Sequence, residues 1–181
     1  MLYYLDMDNI TLYIPKLEDL YFRQQCMADP KTMSYNAGYN LSFAGYHYDS
    51  GCIDFPKENW ESWYKTKIIN NPNFFYAYIL NTNTSEFVGY VNFNLDPNTN
   101  TASMGIVIKS EHQGNGYMRP ALNLLVSEAK KRNISALTDT VPQTRKNALK
   151  VFYDLGFVCT KTDVGEKFDG TEIIEYLELK L

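Results

Sequence analysis

The segment SMGIVIKSEHQGNGYMRPALNLL (103–125) constrains the fold most: a strand-like run, a loop with two glycines, then an amphipathic helix. A helix begins with N–H groups that lack an intrahelical partner and with a partial positive charge. In Gln113-Gly114-Asn115-Gly116-Tyr117-Met118 the glycines remove the Cβ atoms that would block an anion and permit a tight turn. Together these features make a concave nest of amides suited to phosphate. Arg119, in the first helical turn, is placed to add a charged donor. Pro120 sits there too, where a missing N–H costs little. The dinucleotide pattern G-x-G-x-x-G fails because Arg119 stands where the third glycine belongs, and no Gly-Lys-Ser/Thr makes a Walker A loop.

Around this segment the pattern predicts strands at 9–15, 74–80, 87–95, 101–109, 134–141, 158–162 and 172–181. Helices are expected at 17–28, around 58–69, from the glycine loop to about 132, and at 146–155. The turn Asn81–Ser85 suggests an antiparallel hairpin, and Gly156 reads as a helix stop. Residues 34–56, rich in Tyr, Gly and Ser, read as a long loop. The order β-α-α-β-β-β-α-β-α-β-β gives an α+β class with one sheet and a single domain over 1–181.

Composition narrows the function classes. A formal charge of −4 argues against nucleic-acid binding, which normally needs a basic face. It leaves room for a small polyanion held by main-chain amides. Three widely spaced cysteines show no metal spacing, so they are read as reduced thiols of a cytoplasmic protein without a metal site. The opening MLYYLDMDNI shows no signal-peptide pattern, and no apolar run is long enough to span a membrane.

The strand-loop-helix with Gln113 and Gly116 resembles motif A of the GNAT superfamily, the acyl-CoA-dependent N-acetyltransferases, over about 103–132. ALKVFYDLGF (148–157) resembles that family's motif B, a helix ending in Leu-Gly-Phe, within about 134–157. The layout is similar to the branch holding ribosomal-protein N-terminal acetyltransferases and several small-molecule-modifying relatives. The resemblance implies a mixed, mostly antiparallel twisted sheet with helices on both faces. It implies acetyl-CoA as acyl donor, its pyrophosphate on Gln113, Gly114, Asn115, Gly116, Tyr117, Met118 and Arg119. It also implies that the strand before the loop splays from its neighbour, exposing Ile106, Val107 and Ile108 to the pantetheine, with the Ile106 amide polarising the thioester carbonyl.

The sequence departs from the family where chemistry needs a proton donor. Phe152 stands at the usual tyrosine position, leaving the adjacent Tyr153 as candidate acid or as a packing tyrosine. Arg145 replaces the family's common asparagine and is read as a cofactor contact or a surface cap. No glutamate lies on 101–109, which makes Asp139 the candidate base or the acceptor of a local hydrogen bond; a water chain is the other route for the proton. Residues 34–70 fall on the expected substrate side, their aromatics walling a pocket or packing the loop. Trp60 and Trp63 read as packing, and Glu172, Glu175 and Glu178 as a solvated face. The expected acceptor is a small-molecule amine or a protein N-terminus, the expected assembly a monomer or homodimer, and the alternative function a catalytically silent acyl-CoA-binding module.

Overall fold

A computed structural model describes residues 9–42 and 44–181. Residues 1–8, most of the opening expected to carry no secretion signal, lie outside them. The strands are β1 (Ile10–Tyr13), β2 (Phe74–Asn81), β3 (Glu86–Asp96), β4 (Thr101–Ile108), β5 (Ala136–Pro142), β6 (Val158–Lys167) and β7 (Gly170–Lys180). They form one seven-stranded sheet in the order β1-β2-β3-β4-β5-β7-β6. All neighbours are antiparallel except β4 and β5. The helices are α1 (Leu20–Ala28), α2 (Pro30–Met33), α3 (Trp60–Trp63, continued by a π-helical Tyr64–Ile69), α4 (Met118–Lys131) and α5 (Lys146–Asp154).

Period-2 alternation divides the sheet into two differently filled faces. Phe75, Ala77 and Ile79 of β2 join Val91, Phe93, Leu137 and the buried faces of α4 and α5 in the larger core. The alternate residues Tyr76 and Tyr78, with Tyr90 and Val107, pack against Phe22 and Cys26 of α1. In α4 the positions Ala121, Leu122, Leu125 and Ala129 are fully buried, and each leucine contributes about 2 kcal/mol by leaving water. In α1 the buried face is Leu20, Phe22, Cys26 and Met27; Leu17 and Tyr21, which fit the helical period, are exposed. Leu17 belongs to a 3-10 turn before the helix, so its phase differs.

The Leu-Gly-Phe ending of α5 has a specific cause. Gly156 adopts φ +93°, and the Phe157 amide reaches back to the Phe152 carbonyl at 3.1 Å. The two phenylalanine rings meet edge to face at 5.0 Å. This is the Schellman arrangement with its accompanying apolar contact.

Asp29 fixes the far end of β4. Its carboxylate accepts bonds from the Lys31 and Thr32 amides, from Thr32 Oγ1 at 2.5 Å and from Ser110 Oγ at 2.6 Å. The Ser110 amide in turn donates to Thr32 Oγ1 at 2.8 Å. Desolvation pushes this carboxyl up, but the bonds from Ser110 and Thr32 outweigh it and hold the pKa below the ordinary value. The dipeptide Asp29-Pro30 therefore does more than end α1: it caps α2 and anchors the start of the glycine loop.

The C-terminal carboxylates are not the solvated face expected of them. Glu175 is buried and accepts from Gln143 Nε2 at 2.8 Å and from the Tyr153 hydroxyl. Glu172 pairs with Lys167 at 2.7 Å and accepts from Tyr39 and Thr144. Strands β6 and β7 extend beyond the segments predicted, so the loop 34–56 finds polar partners there, including a bridge between Tyr39 and Lys167.

Candidate active site

The site begins with a fault in the sheet. Strands β4 and β5 pair only over Thr101–Ser103 and Ala136–Thr138, whereas β4 pairs with β3 along its whole length. Beyond Ser103 the two strands separate into a wedge. The Lys109 amide donates to the Val88 carbonyl at 3.0 Å, toward β3. Main-chain direction alternates along a strand, so the Ile106 and Ile108 groups face the wedge and those of Val107 face β3. The Ile108 carbonyl is taken up by Gln113 Nε2 at 2.9 Å. All three residues expected on this strand line the cleft of the wedge, but the Val107 amide is committed to the sheet and its side chain is largely buried on the α1 face.

Past β4 a 3-10 turn (Ser110–His112) leads into the loop, where Gly114 and Gly116 adopt φ +79° and +80°. Among the described residues, no protein acceptor pairs with the amides of Gly114 to Arg119. Gln113 through Gly116 are exposed. The helix entry thus presents a run of free donors at the positive end of α4, and a Cβ on Gly114 would meet nothing within 4 Å. The Tyr117 hydroxyl accepts from Asn81 Nδ2 at 2.8 Å, pinning the loop to β2. Arg119 is corrected as an anion donor: its guanidinium bonds Asp154 at 2.5 Å, tying α4 to α5.

A cleft of about 760 Å³ runs through the wedge. At one end it is lined by Gln113, Met118, Ala148 and Phe152, with Ile106 and Ile108 along its side. Asp139, the first residue beyond the β4–β5 pairing, lines it as well. It shares the sheet face of Leu137 and Val141, a place where a carboxylate is poorly hydrated. Desolvation raises its pKa to about 7, against one lowering bond from the Thr140 amide at 2.8 Å. Tyr153 is not brought to the cleft. It is 42% exposed, its hydroxyl is held by Glu175, and that bond is the main cause raising its pKa to about 12. One residue along a helix turns a side chain by about 100°, so Phe152 faces the cleft and Tyr153 faces β7. The candidate acid at 153 is corrected on that ground.

Residues 37–157 match the family described as Acetyltransferase (GNAT) family. The chain belongs to that family. Among solved structures, spermidine N-acetyltransferase from Vibrio cholerae, in complex with CoA and spermine, superposes with a TM-score of 0.78 at 19% identity, covering 95% of each chain. A dodecameric form of the Vibrio cholerae enzyme gives 0.73 at 18%, covering 95% of this chain and 94% of that one. Identities this low establish a shared fold. No curated protein sequence matches the chain. The GNAT fold accounts for the wedge and for the helix entry beside it, both placed as the sequence motifs imply. Among the described residues no helix is long and apolar enough to cross a membrane, and no cluster of three or more His, Cys, Asp or Glu side chains could hold a metal.

At the other end of the cleft the sequence points only to the loop aromatics within 34–70, as a pocket wall or as packing. That end is lined by Arg23, Trp63, Tyr76 and Tyr90, with Tyr35 and Tyr39 from the loop. Trp63, expected to be packing, has its ring 4.5 Å from the Arg23 guanidinium carbon. Arg23 lies on α1 between Phe22 and Gln24, and only the fold shows which way it points. Trp60, by contrast, is core packing as read, and donates Nε1 to the Phe55 carbonyl at 3.3 Å.

Proposed function

We propose that the chain transfers an acetyl group from acetyl-CoA to the primary amine of a small molecule by direct attack. The observation that carries this reading is the adjacency of three features: a loop with free amides at Gly114 to Arg119 that meets the cleft at Gln113 and Met118, then the unpaired edge of β4, then a desolvated carboxyl at Asp139. These residues fit the donor molecule: amides for its pyrophosphate, strand-edge groups of Ile106 and Ile108 for its amide-bearing arm, and the Ile106 N–H for its carbonyl.

Bound acetyl-CoA supplies an activated thioester. Asp139, titrating near 7, takes the proton that makes the amine nucleophilic. The amine nitrogen bonds the carbonyl carbon while the Ile106 N–H meets the developing negative oxygen. The C–S bond breaks as the amide forms; Asp139 releases its first proton to solvent, and the second N–H proton, shed by the acylated nitrogen, balances the one the departing thiolate needs. Phe152 cannot donate it, so the proton travels through solvent in the cleft.

The enclosing loop favours a compact acceptor, since Tyr35, Asn36, Tyr39 and Leu41 overhang the far end of the cleft. A protein N-terminus, the alternative suggested by the ribosomal-protein branch, would need that end open. The silent-module reading draws on Phe152. Calorimetric titration of CoA, followed by thioester consumption across a panel of amines, separates these readings. Absence of CoA binding would end the transfer hypothesis; binding without turnover on any amine would favour the silent module.

A further inference from the structure

Arg23 is the strangest charge in the molecule. Its guanidinium carbon lies 5.1 Å from the ring centre of Phe55, 4.5 Å from Trp63, 5.3 Å from Tyr76 and 5.7 Å from Tyr90. Nη1 donates to the Tyr76 hydroxyl at 3.3 Å, and Nε is sealed from solvent with no acceptor. No acidic side chain among the described residues pairs with it. Arginine does not shed its proton in proteins, and a guanidinium under rings loses hydration that rings replace only in part. The tyrosines supply no countercharge, because burial raises the pKa of Tyr76 and Tyr90 and keeps them neutral.

Charge elsewhere along the cleft has a direction. Lys67, on the rim beside Trp63, touches only the Phe74 ring at 5.5 Å, and it too lacks an acidic partner among the described residues. Arg145 is the third cation of the lining, lying over the Tyr35 ring. Among the described residues, the one carboxylate that lines the cleft is Asp139, at the wedge. So a chain with net charge −4 presents cations at the acceptor end and an anion where the amine reacts.

We propose that the acceptor is an amino carboxylate, an amine and a carboxylate on one short apolar skeleton, with its carboxylate seated on the Arg23 guanidinium. With Nη1 on Tyr76 and Nε sealed, Nη2 is the guanidinium nitrogen left to donate to a carboxylate, the surrounding rings take the apolar body, and the ammonium end reaches Asp139. A polyamine would set further ammonium groups against Arg23 and Lys67 in a poorly hydrated space, which disfavours it. This reading rests on the acetyl transfer proposed above and differs from what the Vibrio cholerae enzyme is named for.

The test compares matched pairs: alanine, methionine, phenylalanine and 4-aminobutyrate, each beside its carboxamide, with spermidine as a further acceptor and CoA release as the readout. Within at least one pair the acid is expected to exceed its amide by about tenfold to a hundredfold in kcat/KM. Arg23→Gln brings that ratio toward one through the acceptor KM and leaves the acetyl-CoA KM unmoved. Should that variant fail to fold, Lys67→Met at the rim must lower the same ratio by a smaller factor. Equal rates within every pair, or spermidine exceeding all the acids, overturns the proposal while acetyl transfer stands. If CoA fails to bind or no amine is turned over, the transfer reading fails instead. Titration of N-acetyl-phenylalanine against N-acetyl-phenylalaninamide then decides the Arg23 assignment, with equal binding refuting it.

Discussion

The two ends of the cleft are built from different parts of the chain. At the end proposed for the donor the binding groups are main-chain amides, supplied by one contiguous loop from Gly114 to Arg119 and by β4. At the end proposed for the acceptor the lining is side chains from separate segments: Arg23 on α1, Trp63 on α3, Tyr76 on β2, Tyr90 on β3 and Tyr39 in the loop. Main-chain binding tolerates almost any side chain provided the backbone path is kept. Side-chain binding can change its ligand by one substitution without altering the fold. A shared donor and a divergent acceptor is what this division of material permits.

The sharpest way to break the comparison is at the wedge, where the two ends meet. Asp139→Asn is expected to lower kcat by about 10²- to 10⁴-fold, the usual span for a general base. It should also abolish the rise in rate expected of the wild-type chain through about pH 7. Stability moves the opposite way. The folded pKa lies above the unfolded value near 3.9, so the native state binds more protons between about pH 4 and 7 and loses stability as pH rises through 7. Asparagine removes that loss. Urea unfolding at pH 8 should show Asp139→Asn more stable than wild type, by less than about 4 kcal/mol once solvent screening of a half-buried group is allowed for. A variant equally active across the pH range would return Asp139 to a purely local role.

At the donor end, Gly116→Val should weaken CoA binding about tenfold or more by calorimetry, because a β-branched residue at φ +80° must change the path that aims the amides. Gly114→Ala is the control within the same loop. Its Cβ meets nothing, so the expected cost is the backbone strain alone, about 1 kcal/mol. Equal losses at the two positions would mean that the loop tolerates no change at all, and the distinction between path and contact would go.

These positions also mark what was legible in advance. QGNGYM declares its conformation because glycine and a helix start have local causes. Leu-Gly-Phe does so because a Schellman ending needs a glycine and rewards the Phe152–Phe157 contact. Asp139 stood out as a carboxylate where a strand wants an apolar residue. Arg23 gave no such signal: a single arginine on a short helix reads as surface, and only the packing of α1 on Tyr76 and Tyr90 turns it inward. Arg119 failed for the mirror reason, since its partner Asp154 lies 35 residues away on another helix. Local causes are readable from a string, and long-range partners are not.

Asp29 tests whether the loop needs support from outside itself. Asp29→Ala removes the α2 cap and the bond from Ser110, and should cost about 2 kcal/mol in urea unfolding at pH 7. Because the folded pKa is depressed, this contribution is present above about pH 4 and fades as pH falls further, so wild type and variant should converge in acid. CoA affinity should fall less than for Gly116→Val, since the amides keep their own glycines.

The smallest effect is expected at Tyr153. Its hydroxyl points to Glu175, outside the cleft, so Tyr153→Phe should leave kcat and its pH profile unchanged. The variant should lose about 1 kcal/mol of stability, because Glu175 is buried and would keep only Gln143 as a partner. A substantial loss of kcat with stability intact would show that α5 turns in solution to bring residue 153 inward. That would restore the proton donor that the motif leads one to expect, and would make the donor end depend on a side chain after all.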